Sequence, residues 1–283
     1  MAPVRSAFPE GAPCWADVQL PDVETGKRFY GDLFGWTFDE GAGAERGYYT
    51  AAYSADRAVA ALAPLFGGAG PAWTVHFAVR DAYATAARVT RSGGRVITGP
   101  LSLGTAATMA LVTDRDGGIF GLWQAGSDLG FEVAGEPGAY CWTELVVRDT
   151  ARADAFYETV FSYAAEDAAE DAAGDAAENP AEDAAGDAAR DGVVGGTRDG
   201  LRLWAPAGTV PSPTTAVAGR RASPGTPLTG RFLVHFGTAE LEATTADALR
   251  LGGEIRVPAH PTGSGRVTVL ADDQGALFAL REV

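Results

Sequence analysis

The chain has 283 residues, 46% of them apolar, with a net charge of −15 and two cysteines, Cys14 and Cys141. This length suits two domains with real cores, the charge argues against a nucleic-acid partner because phosphates want a basic face, and two thiols build no disulfide framework and fit a reducing cytoplasm. The opening MAPVRSAFPEGAP has no apolar stretch of the signal-peptide kind, and no run reaches the roughly 18 apolar residues that would place the chain in a membrane.

The first predicted element is a strand in PCWADVQL, starting at Pro13. Its alternation puts Ala16, Val18 and Leu20 on one face and Trp15, Asp17 and Gln19 on the other. Asp22 then opens a helix with Val23, Phe29, Tyr30 and Leu33 at helical spacing. A second strand and helix follow in AWTVHFAVRDAYATAARVTRSGGRV from Ala72, with Asp81 at the helix start and Gly93-Gly94 closing it. Strands over 105–113 and 119–124 flank a turn at Asp114-Arg115-Asp116-Gly117.

AYCWTELVVRDTARADAFYETVFSY, from Ala139, repeats the first copy. Aligning Cys14 with Cys141 also aligns Trp15 with Trp142, Asp22 with Asp149, Phe29-Tyr30 with Phe156-Tyr157 and Phe34 with Phe161. RFLVHFGTAELEATTADALRLGGEI, from Arg231, repeats the second, with Glu240 at its helix start, Gly252-Gly253 at its end and the turn Asp272-Asp273-Gln274-Gly275 before LFALRE. The order is A-B-A′-B′. Each unit reads strand, helix, three strands, and one unit alone would leave a sheet face bare, so units must pair.

Residues 164–192 hold ten acids and one base, so they carry −9 of the −15, with little apolar bulk beyond alanine. Such a segment buries too little surface to offset its ordering entropy, and a disordered insertion is expected there. The Gly-rich runs at 67–70 and 192–196 lack the strand, helix and Lys-Ser/Thr of a phosphate loop.

The four strand–acid–helix openings, FYGDLFGW, FYETVFSY, and the endings DRDG…FGLWQ and DDQG…FALRE resemble the vicinal oxygen chelate superfamily, which includes glyoxalase I, extradiol dioxygenases and the bleomycin and fosfomycin resistance proteins. The resemblance spans nearly the whole chain outside the acidic insert and looks most like a tandem, glyoxalase-like actinomycete branch. It implies an α+β fold of four βαβββ modules paired into two domains with strongly curved mixed sheets: residues 1–126, a linker over 127–138, and residues 139–283 with the insert. Members that resemble this chain occur in antibiotic pathways, including anthracycline pathways, as binding or accessory proteins.

In metal-binding members a His or Gln stands on the first strand seven residues before the helix-start acid, and a Glu on the last strand four after the turn glycine. Those places here hold Trp15, Thr74, Trp142 and Leu233, then Gly121 and Ala279. The expectation is therefore no metal and no cofactor. Trp15, Trp123 and Trp142 fall on the same concave face, either as a lining for a planar apolar ligand or as core.

Two residues after each vacated first-strand position come Asp17, His76, Glu144 and His235. Whichever way the modules pair, each cavity should receive one acid and one histidine. Such a pair can be a buried structural bond, a polar anchor for a ligand, or a general acid/base couple. Arg281 also falls on the concave face. His260, in PAHPTG, reads as a solvated loop residue. Cys14 and Cys141 fall on the helix-facing side, which favours burial over catalysis. The insert, Ser162-Tyr163 in place of Gly35-Trp36, and the Pro-rich 209–217 make the second cavity altered or closed.

The expected function is metal-independent binding of an apolar polycyclic aromatic molecule, as a sequestering, resistance or biosynthetic accessory protein. A tailoring enzyme of the same pathway is a candidate partner. The alternative is an enzyme of the same superfamily, an isomerase, lyase, dioxygenase or hydroxylation helper, using Asp17, His76, Glu144 or His235.

Overall fold

The structure, a computed structural model, describes residues 8–39, 49–65, 70–167, 200–222, 229–262 and 265–283. The sequence repeat is a structural repeat. Module one comprises β1 (Pro13–Leu20), α1 (Val23–Phe34), β2 (Thr37–Phe38), β3 (Thr50–Ser54) and β4 (Arg57–Pro64). Module two comprises β5 (Ala72–Ala78), α2 (Ala82–Arg91), β6 (Arg95–Ser102), β7 (Ala107–Thr113) and β8 (Ile119–Ala125). Module three comprises β9 (Tyr140–Val147), α3 (Thr150–Phe161), β10 (Ala164–Asp167), β11 (Arg202–Ala205) and β12 (Ala218–Ala222). Module four comprises β13 (Arg231–Thr238), α4 (Leu241–Arg250), β14 (Glu254–Thr262), β15 (Gly265–Ala271) and β16 (Leu277–Glu282). Among the described residues no helix is long and apolar enough to cross a membrane.

The acids at the helix starts act as caps. Asp22, Asp81 and Asp149 accept from the backbone N–H of Thr25, Ala84 and Arg152, satisfying amides that no helical carbonyl can reach. Glu240 takes the same place before α4 without a side-chain bond, and the Thr238 hydroxyl accepts from its N–H instead. Gly35 closes α1 in the left-handed region at φ 71°, and Ser162 adopts the same conformation after α3 at φ 58°. For a residue with a Cβ that costs roughly 1–2 kcal/mol.

Modules one and two share one mixed sheet, ordered β2-β3-β4-β1-β5-β8-β7-β6, and modules three and four share another, β10-β11-β12-β9-β13-β16-β15-β14. Of the two pairings the sequence allows, the fold takes one with two and three with four. The antiparallel seams are β1–β5 and β9–β13, and each module's last strand lies parallel to its first. Both sheets are curved and open.

Alternation decides what each face does. Cys14, Ala16, Val18 and Leu20 are fully buried on the helix side of β1. The two halves pack helix side to helix side. Phe236 of β13 meets the rings of Phe34 and Trp73 at 5.3 and 4.9 Å, and Phe232 meets Phe77 at 5.2 Å. Each such buried aromatic contributes about 2–3 kcal/mol by transfer, and one buried cluster runs through both halves. The residue pair after the first helix of each half also clasps across. The Trp36 indole donates to the Gly138 carbonyl at 2.7 Å, and the Tyr163 hydroxyl, its counterpart, donates to the Gly11 carbonyl.

Two expectations are corrected. The insertion does not begin at 164: Ala164–Asp167 form β10, paired with β11, and Arg202 of β11 bridges Asp154, Glu158 and Asp167. Those contacts give four polar-rich residues a sheet edge to join. Residues 168–192 of the expected disordered segment lie outside the described residues. His260 is not in a loop but in β14, opposite Val267, because the Pro/Gly-rich run continues a bulged edge strand. The stretch between the halves, 127–138, is packed against the first: Phe131 and Glu132 donate N–H bonds to the carbonyls of Cys14 and Ala58, and Ala58 donates back to the Glu132 carboxylate. The stretch wedges between β1 and β4 where those strands diverge.

Candidate functional site

In the first half Trp15, Asp17, Thr74, His76, Gly121 and Trp123 share the concave face. Trp15 stands opposite His76, Asp17 opposite Thr74, and His76 beside Gly121. Asp17 Oδ2 lies 2.9 Å from His76 Nε2. It also accepts from the Tyr49 hydroxyl at 3.1 Å, which in turn accepts from the Trp15 indole at 2.6 Å. The result is a polar chain, Trp15–Tyr49–Asp17–His76, which ends on a His76 Nδ1 that has no partner. Burial, then the Asp17 charge, pushes the Tyr49 hydroxyl well above the usual tyrosine range.

This face fills itself. The His76 ring occupies the space over Gly121, where a Cβ would come within 1.9 Å of Nδ1. Trp123 donates to the Asp128 carbonyl at 3.2 Å, and Trp15 packs on Phe131 at 5.6 Å. Trp15, Asp17, His76 and Trp123 are each at most 8% exposed. The small residue at 121 therefore makes room for an imidazole of the protein itself.

The second half keeps the register and changes the chemistry. Trp142 is opposite His235, Glu144 opposite Leu233, and His235 beside Ala279. The expected acid–histidine pair does not form here. Arg221 Nε donates to Glu144 Oε1 at 2.8 Å, and Nη2 lies 3.4 Å from Oε2. The cause is local: β12 presents Arg221 where β4 has Ala63, and Leu201 precedes β11 where Tyr49 precedes β3. The longer glutamate reaches toward that guanidinium and away from the histidine.

His235 is left alone. It is 4% exposed, and neither ring nitrogen has a hydrogen-bond partner. Burial first, then the positive charges of Arg281, Arg221 and His260, lower its pKa to about 3. It is a neutral imidazole at ordinary pH. The Arg281 guanidinium carbon sits 5.9 Å from the centroid of the Trp142 ring, a cation–π distance. Leu233, Val267, Val269 and Ala279, with Val257 against them, form an apolar cluster separate from the main core. Trp142 is only partly buried. The second face is altered, as the sequence suggests, and Trp142 is more exposed than Trp15 or Trp123.

The register also locates the last-strand positions of modules one and three. Ala61 lies beside Asp17 and Gly219 beside Glu144, matching Gly121 and Ala279. Together with Trp15, Thr74, Trp142 and Leu233 these eight positions offer one side-chain oxygen, that of Thr74. Among the described residues no three His, Cys, Asp or Glu side chains cluster to hold an ion. A divalent metal wants several imidazole or carboxylate donors, and this donor set does not fit one.

The thiols of Cys14 and Cys141 contact the carbonyls of His76 and His235 at 3.5 and 3.4 Å, and burial pushes the first strongly up and the second up to about 12. A cleft of about 340 Å³ lined by Asp116, Arg148, Asp149, Arg152 and Thr229 includes no residue predicted for the site. Tyr49, Asp128 and Arg221 were missed by sequence reasoning. Modules one and three lack the D-x-D-G turn that registers the last strand, and the alanine-rich β4 gives little alternation to replace it.

Curved paired sheets of this topology, with one concave face in each half, define a tandem paired-βαβββ protein. Residues 15–122 match the family model described as the glyoxalase/bleomycin resistance protein/dioxygenase superfamily, and the chain belongs to that superfamily. It is 34% identical over 289 aligned positions to CFP32 of Mycobacterium tuberculosis, covering 98% of this chain and 97% of that one. It is 32% identical to the anthracycline biosynthesis protein DauV of Streptomyces sp. (strain C5), covering 98% and 94%. The solved structure of 2,2',3-trihydroxybiphenyl 1,2-dioxygenase from Sphingomonas wittichii strain RW1 superposes with a TM-score of 0.58 at 14% identity, covering 97% and 91%. At that identity the likeness is one of fold.

Proposed function

We propose that this protein binds an apolar, planar aromatic small molecule on a concave sheet face without a metal, as a sequestering or accessory protein of a natural-product pathway in the cytoplasm. The observation that carries the reading is the replacement of every family ligand position by an aromatic, aliphatic, hydroxyl or small residue, with Trp142 left partly open in a half whose β13, β15 and β16 carry an apolar cluster. A partly exposed indole and aliphatic side chains are the lining a flat apolar ligand needs. The relationship to DauV, named for anthracycline biosynthesis, supports a pathway role, and a tailoring enzyme of that pathway is the partner such a role implies. The free thiols support a reducing compartment.

A second reading is catalysis without cofactor, with His76 as general base held by Asp17. The 2.9 Å contact favours it. The 2% exposure of His76 weighs against it, since a base must reach the proton it takes. Titrating the metal-stripped protein with planar polycyclic aromatics, following tryptophan fluorescence, tests the binding reading. Saturable quenching unaffected by chelator supports it, and quenching that appears only with a divalent ion refutes it. Turnover of a bound compound that disappears in His76→Ala while affinity holds would favour the catalytic reading.

A further inference from the structure

We propose that the cleft between the halves, beside Asp149, is a small-molecule site separate from both concave faces, and that it takes a primary carboxamide. The assignment does not depend on the aromatic ligand proposed above.

The internal repeat carries the argument. It sets Asp22 against Asp149, Gly26 against Ala153, Pro71 against Gly230, and Gln274 of one turn against Asp116 of the other. The bonds Tyr30–Asp272 and Tyr157–Asp114 recur at the two junctions, so the correspondence is also one of position. At the first junction the Gln274 side chain reaches from the second half and lies along the backbone of Asp22. The Asp22 N–H donates to Gln274 Oε1 at 2.8 Å, and Gln274 Nε2 donates to the Asp22 carbonyl at 2.9 Å. A primary carboxamide suits that edge because it presents one acceptor and one donor side by side. The Pro71 ring closes in next to it, with Cγ 4.0 Å from where a Cβ on Gly275 would stand.

At the second junction the same backbone edge meets no such side chain among the described residues. Asp116, in the place of Gln274, turns to Arg152, with Oδ1 3.3 Å from Nε. Gly230, in the place of Pro71, brings no ring. The result is the cleft of about 340 Å³ bounded by Asp116, Val147, Arg148, Asp149, Arg152 and Gly230, within the roughly 300–1,000 Å³ of small-ligand pockets. The backbone of the seat is retained. Asp149 has φ −108° and ψ 95°, against −133° and 103° at Asp22. Its carbonyl accepts from the Ala153 N–H at 3.1 Å, just as that of Asp22 accepts from Gly26 at 3.1 Å and still receives Gln274. The Asp149 carboxylate is engaged in capping α3, so the open edge is the main chain. Gln274 is therefore a built-in copy of the group the cleft would receive. A carboxylate would set a second acceptor against the Asp149 carbonyl, and a ketone would bring no donor to it.

The test is a titration of the full, isotope-labelled chain with benzamide, followed by the backbone amide signals in NMR. The Asp149 amide should shift saturably, and the Asp22 amide, already held by Gln274, should not. Acetophenone, which keeps the carbonyl and lacks the NH₂, should bind about tenfold or more weakly, the worth of one hydrogen bond. Asp116→Gln should remove the benzamide response, because the new side chain can take the seat as Gln274 does. An otherwise unchanged spectrum shows that this variant is folded. An Asp149 amide that benzamide does not move, or a response that survives in Asp116→Gln, overturns the site. Equal binding of acetophenone overturns the carboxamide assignment. Benzamide shifts confined to the indoles of Trp15, Trp123 and Trp142 would place it on the concave faces, overturning this inference while leaving the aromatic-binding reading standing.

Discussion

The Tyr30 hydroxyl donates to Asp272 Oδ2 at 2.8 Å, joining α1 of the first half to the turn before β16 in the second. The same bond recurs about the internal repeat, with Tyr157 donating to Asp114 at 2.9 Å. The motif tyrosines of FYGDLFGW and FYETVFSY and the turn aspartates of D-x-D-G and DDQG are thus partners across the interface between halves. They hold the fold together and stand apart from both concave faces.

Tyr30→Phe should destabilise by about 2–3 kcal/mol and Tyr157→Phe by about 1–2 kcal/mol, since a buried acceptor loses its donor in each. Tyr30 is the costlier because its oxygen also accepts from the Trp73 indole at 3.0 Å. Urea unfolding followed by fluorescence measures both, and in each variant the two halves should still unfold together because the aromatic interface is shared.

Gly121→Ala should cost roughly 1–3 kcal/mol, the penalty for forcing a methyl into a packed site, because its Cβ falls on the His76 ring. A thermal melt of the variant reads this, and an unchanged melting temperature would show that His76 is free to move.

Asp17→Ala should lower stability by about 2–4 kcal/mol, because the buried Tyr49 hydroxyl and His76 Nε2 both lose the carboxylate they bond to. Affinity for a planar ligand should be unaltered if the first face is structural. Chemical denaturation and titration of one preparation give both answers.

His235 sets a pH dependence whose sign follows from its depressed pKa. The unfolded chain takes up the proton below about pH 6.5 while the folded chain does not until about pH 3. Stability therefore falls as pH drops through that window, with a slope approaching about 1.4 kcal/mol per pH unit for this group. Asp114 and Asp272 act oppositely: burial raises both, so their contribution is greatest in acid and is lost as pH rises through their folded values. Comparing wild type with His235→Leu between pH 4 and 7 isolates the histidine. The variant should lose that slope and, at neutral pH, gain about 1–2 kcal/mol by removing two unsatisfied nitrogens.

The repeat, the helix-start acids and the concave placing of Trp15 with Asp17 in the first half and of Trp142 with Glu144 in the second were readable because strand alternation fixes a face and a cap fixes a helix start. The Asp17–His76 bond was readable for the same reason. The loss of its counterpart was not. Glu144 differs from Asp17 by one methylene, and its partner Arg221 comes from a strand that follows a Pro-rich stretch with no turn motif to register it. The burial of Trp15 and Trp123 depends on Tyr49, Phe131 and Asp128, which reach the face from segments with no alternation of their own. Ala164–Asp167 read as solvated because their composition is acidic, yet the sheet edge and Arg202 give them partners that composition does not reveal.

Thermal unfolding in chelator, with and without a planar aromatic carboxylate such as anthraquinone-2-carboxylate, and again with Mn²⁺, Fe²⁺ or Zn²⁺ in place of chelator, bears most directly on metal-independent binding. The account predicts that the aromatic acid raises the melting temperature in chelator and that none of the ions raises it alone or adds to the acid's effect. A rise caused by an ion, or an aromatic effect that needs one, would contradict it.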